Sequence, residues 1–98
     1  MVYTTMIVGT LEIRLAIRDA HSLKQKRSVL KSVKDRLRNK FNISVSEIES
    51  QDVWQSATLG VAMIGGDRKY VNAVLSKVID AVRGFPLVQL VDYELELF

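Results

Sequence analysis

From Met6 to Arg18 apolar and polar positions alternate. Ile7, Leu11, Ile13, Leu15 and Ile17 fall on one side, and Val8, Thr10, Glu12, Arg14, Ala16 and Arg18 on the other. A period of two means a strand with one buried face. The period then changes. After Asp19-Ala20-His21, the residues Leu23, Val29, Leu30, Val33, Leu37 and Phe41 recur at the spacing of a helix buried along one side. Ser22, with Gln25 three residues on, has the form of a capping box. The helix is expected to end near Asn39 or Lys40, with Asn42 as a left-handed exit. Ile43 and Val45 open a second strand whose phase slips, because Glu47 takes the next inward position and Ile48 the outward one. Either a bulge near Ser46–Glu47 turns Ile48 inward, or Glu47 points at the core.

Ser50-Gln51-Asp52 is a polar turn signal. A third strand follows, with Ala57, Leu59, Val61 and Met63 on one face and Trp54, Ser56, Thr58, Gly60 and Ala62 on the other. Gly65-Gly66-Asp67 breaks it, and Asp67 suits the N-cap of a second helix built on Val71, Val74, Leu75, Val78 and Val82. Gly84 and Pro86 stop that helix. The chain closes on a fourth strand, in which Val91, Tyr93, Leu95 and Leu97 oppose Leu90, Asp92, Glu94 and Glu96. The order β-α-β-β-α-β runs without linker or repeat, so a single domain over residues 1–98 is expected. Two helices cover one face of a four-stranded antiparallel sheet, which is an α+β ferredoxin-like sandwich. Right-handed crossovers then put strands one and three in the centre.

Composition narrows the chemistry. The chain has 98 residues, 48% of them hydrophobic and 26% charged, a balance typical of a globular domain. It has no cysteine, which excludes disulfides, thiolate metal sites and cysteine nucleophiles. Met1 to Gly9 makes a poor signal peptide, and no apolar run approaches the roughly 20 residues of a membrane span. The expectation is a cytoplasmic protein without a membrane partner.

Charge changes the picture more. Residues 22–40 hold eight Lys or Arg against one Asp, a local charge of +7, whereas the rest of the chain carries −4. Lys24, Arg27, Lys31, Lys34 and Arg38 are spaced 3, 4, 3 and 4 apart, so they form one line along the first helix beside its apolar arc. Such a line either follows a phosphate backbone, stays a solvated face, or meets acids of a neighbouring subunit. Lys26 and Lys40 lie within or at the margin of the apolar arc and are expected at frayed helix ends.

Several segments resemble the YlxP-like family: Ser-Leu-Lys-Gln-Lys-Arg at 22–27, Lys-Asp-Arg-Leu-Arg-Asn-Lys-Phe-Asn at 34–42 and Gln-Asp-Val-Trp-Gln at 51–55. Leu-Gly-Val-Ala at 59–62 and Val-Asp-Tyr-Glu-Leu at 91–95 extend the likeness to essentially the whole chain. The resemblance implies a small bacterial protein of unknown function with a ferredoxin-like fold. In some bacteria the family's gene lies among those for translation initiation and ribosome maturation, which implies an RNA or ribosomal setting by association. It implies no catalytic residue.

The remaining candidates are thinner. His21 beside Asp19 and Ser22 superficially combines base, acid and hydroxyl, but Ser22 is already accounted for as a cap. Glu47, Glu49 and Asp52 crowd one region, and Gly65-Gly66 precedes a helix without the rest of a phosphate loop. Neither an enzyme nor a cofactor, metal or small-molecule site is expected. The uncovered sheet face would place Arg14 and Arg18 against the acidic row of the last strand. It also offers Val8, Ala16, Ala62 and Leu90, with Trp54 as a further candidate, as a patch for a homodimer. The reading is thus a factor that binds structured RNA or a ribosomal subunit through Lys24, Arg27, Lys31, Lys34 and Arg38. The competing reading is a homo-oligomeric module using the sheet face or its edges.

Overall fold

The computed structural model describes residues 5–49 and 53–98. Six elements follow in the expected order: β1 (Ile7–Ala16), α1 (Leu23–Lys40), β2 (Ser44–Glu49), β3 (Ser56–Gly65), α2 (Arg68–Arg83) and β4 (Gln89–Leu97). The strands form one antiparallel sheet in the order β2-β3-β1-β4, so the first and third strands are central. This is the ferredoxin-like βαββαβ arrangement. The turn signal at Ser50-Gln51-Asp52 lies outside the described residues.

The core lies between the sheet and the helices. Leu11, Ile13 and Leu15 of β1 and Leu59 and Val61 of β3 face Leu30, Val33 and Leu37 of α1 and Val71, Leu75 and Val78 of α2, all buried. Burying such a side chain contributes about 1.5–3 kcal/mol, which is why the hydrophobic phase of each element decides which way it faces. Gly9 marks the closest approach of helix to sheet. A Cβ there would stand 2.5 Å from Val71 Cγ1 and 2.7 Å from Leu75 Cδ1, so α2 rests directly on the β1 backbone.

Both helices start as their sequences suggest. Ser22 Oγ accepts the Gln25 N–H at 3.1 Å, and Gln25 Oε1 accepts the His21 N–H at 2.6 Å. The Gln25 side chain thus reaches one residue past the cap. Asp67 accepts the Tyr70 N–H at 2.9 Å at the head of α2. α1 ends on an extended Phe41, whose N–H returns to Leu37 O. Gln55 ties the turn after β1: its Nε2 donates to Arg18 O and Ala20 O at 3.1 and 3.2 Å, and its carbonyl accepts from the Ile17 N–H.

Two bulges correct the strand phases. In β2, Glu47 pairs with Leu59 and Glu49 with Thr58, leaving Ile48 as the extra residue. Glu47 therefore keeps its inward position, and Ile48 lies out on the open face across Gly60, where a Cβ would meet Ile48 Cγ2 at 3.0 Å. In β4, Arg14 pairs with Asp92 but Leu15 with Leu90, so Val91 is the extra residue. Leu90 thereby turns to the helix side and packs on the core, instead of joining the open face.

The inward Glu47 is answered by Lys26. The Lys26 side chain is fully buried, and its Nζ stands 2.9 Å from Glu47 Oε2. Lys26 thus belongs to the core and not to a frayed helix end. Breaking a buried pair from one side strands a charge in a poor dielectric, whereas replacing both partners removes the desolvation cost together with the attraction. Lys26→Met is expected to destabilise the fold by about 3 kcal/mol, and Lys26→Met with Glu47→Leu to recover most of that loss. Urea denaturation of the single and double variants measures both.

Candidate nucleic-acid interface

The side of α1 that bears the cations is fixed by what its neighbours do. Lys26, Leu30, Val33 and Leu37 turn into the core. On one flank Arg36 lies over the Phe85 ring, 5.7 Å from its centroid, next to the end of α2. On the other flank Arg38 donates from Nη2 to the Val45 carbonyl of β2 at 2.8 Å. The line Lys24, Arg27, Lys31, Lys34 and Arg38 therefore runs on the flank away from α2, above the edge strand β2.

The five do not stand in the same state. Lys31 Nζ is 2.7 Å from Asp35 Oδ2, and Arg38 Nη1 is 3.8 Å from Asp35 Oδ1. Their shared carboxylate is held below its ordinary value, chiefly by the hydrogen bond from Lys31 and then by the charges of Lys31, Arg38 and Lys34. Lys24, Arg27 and Lys34 form no ion pair among the described residues, Lys34 acting on Asp35 only through its charge. Lys24 and Arg27 are exposed and Lys34 is half-buried. The open part of the line is thus three cations, with Lys31 and Arg38 available only in competition with Asp35.

The opposite face of the molecule has the other sign. Arg14 hydrogen-bonds Asp92 and lies 3.5 Å from Glu12 and 3.8 Å from Glu94. Those partners, led by the Asp92 hydrogen bond, raise its already high pKa further. Arg14 thus meets the acidic row as its strand phase suggests; Arg18 lies beyond the strand and pairs with no acid among the described residues. One arginine against Glu12, Asp92, Glu94 and Glu96 leaves the open face acidic, a field that disfavours a polyanion there.

Elsewhere the candidates stay apart. Ser22 Oγ is engaged as the α1 cap, and no described hydrogen bond joins the His21 ring to Asp19 or Ser22. Among the described residues no group of three or more His, Asp or Glu converges in a way that could hold a metal. Asp52 of the acidic trio lies outside them. Trp54 is half exposed just before β3. No described helix is long and apolar enough to cross a membrane.

The family model described as "Protein of unknown function (DUF503)" matches residues 8–95. The chain belongs to this family. A relative within it, "Uncharacterized protein YlxP" of Bacillus subtilis (strain 168), is 40% identical over 83 residues, covering 85% of this chain and 90% of that protein. The YlxP-like resemblance of the sequence is therefore borne out. Among solved structures, "De novo designed protein Foldit4" superposes with a TM-score of 0.56 over 95% of this chain and 96% of its own, at 12% identity. That likeness concerns the fold alone.

Asp35 offers a direct check on the charge geometry. Its folded-state pKa is depressed, so its ion pairs contribute at neutral pH and are lost as pH falls through that lowered value. Carboxyl-detected NMR titration is expected to place its midpoint below the ordinary 3.8. Lys31→Met should move that midpoint back up.

Proposed function

We propose that the protein is a non-enzymatic cytoplasmic factor that docks on structured RNA, free or within a ribosomal particle, through the exposed flank of α1. The observation that carries this reading is the separation of charge between two faces. Lys24, Arg27 and Lys34 form no ion pair among the described residues, while Glu12, Asp92, Glu94 and Glu96 make an acidic row on the far side of the sheet. Along a straight helix, Lys24 and Lys34 are about 15 Å apart at roughly 1.5 Å per residue. That span matches a few phosphates of a nucleic-acid strand, and contacts of this kind position a protein without reading bases. The ribosomal association implied by the family resemblance points the same way.

Asp35 tempers the docking. Its carboxylate occupies Lys31 and Arg38, and it would sit against an incoming phosphate. Arg38 also anchors the flank to β2 through the Val45 carbonyl, so its substitution mixes binding with packing. The clean variants are therefore Lys24→Glu with Arg27→Glu, both exposed. They are expected to weaken binding to an RNA hairpin about 100-fold at low salt, with the circular dichroism spectrum unchanged. Asp35→Asn should tighten it several-fold. Filter binding with a structured RNA reads both, and unchanged affinity in the double reversal would refute the proposal.

A further inference from the structure

We propose that the lower half of the open sheet face is covered by a second copy of this chain, in a two-fold dimer that leaves both α1 flanks free. Val8 of β1 stands opposite Ile64 of β3. On its other side Val8 exchanges backbone hydrogen bonds of 3.0 and 2.7 Å with Phe98. Ile64, Val8 and Phe98 are therefore one cross-strand row on one face, and Met6 continues it two residues before Val8. Met6, Ile64 and Phe98 are 62%, 66% and 61% exposed. Large apolar side chains this open, side by side on a regular sheet, mark a contact surface.

Charge selects the occupant and its placement. Glu96 stands one step from the row, opposite Thr10, and Glu12 and Glu94 a step further, so a nucleic-acid strand would bring phosphates against carboxylates. A full face-to-face overlap of two copies would likewise press Glu12, Asp92, Glu94 and Glu96 against their counterparts. A two-fold axis laid along the row avoids this. It stacks Ile64, Val8 and Phe98 on themselves and keeps Glu12, Asp92 and Glu94 of one copy from facing their counterparts in the other, with Glu96 beside the contact. The same operation sets Met6 over Thr10 and Ala62 of the second copy. There an open trough of about 500 Å³ has Thr10 and Ala62 in its floor, with Ile48 standing over Gly60 on one side and the side chains of Glu12 and Glu96 among its walls. An isologous contact requires such self-complementarity, a projecting side chain on one side of the axis and a recess on the other.

The edges are poorer alternatives. Pairing β4 with a second β4 would line up Asp92, Glu94 and Glu96 of both copies. β2 is short, bulged at Ile48, and has its Val45 carbonyl taken by Arg38. Relative to the sequence reading, Val8 and Ala62 stay in the contact, Leu90 leaves because its strand bulges, and Met6, Ile64 and Phe98 enter.

The patch is smaller than a standard interface of about 800 Å² per partner, so the dimer is expected to dissociate in the range of about 1–100 μM. Sedimentation velocity on the full chain, from about 1 μM to about 1 mM, reads it. The expected result is a concentration-dependent dimer that persists at high salt, is weakened at least tenfold by Ile64→Glu or Phe98→Glu, and is unchanged by Trp54→Ser. Isotope-filtered NMR should show contacts between the Met6 and Ala62 methyls of different copies. A monomer throughout, a dimer indifferent to Ile64→Glu, or absence of the methyl contact overturns the proposal. So does an Ile64→Glu variant that loses RNA affinity while sedimenting as before, which would assign the row to nucleobases. Lys24→Glu with Arg27→Glu should leave the dimer intact, so the two proposals fail independently.

Discussion

The buried contact between Lys26 and Glu47 is the constraint around which the rest is arranged. Glu47 lies on the edge strand β2, facing inward, and Lys26 sits one turn into α1 with its ammonium wholly withdrawn from water. Neither charge tolerates that environment alone, so the register of β2 and the rotation of α1 are set together. The bulge at Ile48 belongs to the same arrangement: it lets Glu47 stay inward while Glu49 returns to the open face opposite Thr58. With α1 rotated so that Lys26, Leu30, Val33 and Leu37 face down, the line from Lys24 to Arg38 has nowhere to point but along the flank above β2.

That rotation sorts the charge of the molecule. Cations gather on the helical flank, and Asp35 is the one acid among them. Glu12, Asp92, Glu94 and Glu96 make an acidic row on the uncovered sheet face, where Arg14 alone answers several of them. The acidic row on β4 has a second consequence, since a strand edge lined by like charges resists pairing with its own copy. One distribution thus leaves the helical flank cationic and discourages sheet extension. It leaves the apolar row of Ile64, Val8 and Phe98 as the surface with least electrostatic objection to a protein partner.

Much of this architecture is legible in the sequence, because the period of hydrophobic positions changes cleanly from two to helical and back. The caps at Ser22 and Asp67, the central placement of β1 and β3 and the line of cations follow from spacing alone. What escapes is what depends on a partner strand. A residue such as Ile48 or Val91 reads as one more alternating position until its neighbour shows two residues opposite one, and that is why Leu90 falls on the wrong face in a period-two reading. Lys26 escapes for a different reason: lysine within an apolar arc is ordinarily assigned to a helix end, and the acid that accepts it is 21 positions away. The row of Ile64, Val8 and Phe98 comes from three separate strands and exists only once their register is known.

The central claim is that a pinned α1 presents a short set of unneutralised cations to a polyanion. The most direct measurement is the salt dependence of binding to a double-helical RNA hairpin. Three phosphate contacts, through Lys24, Arg27 and Lys34, give a slope of log K against log salt of about −2 to −3. Removing Lys24 and Arg27 together should reduce its magnitude to about 1. A slope near zero, or one that survives the loss of both residues unchanged, would contradict the account.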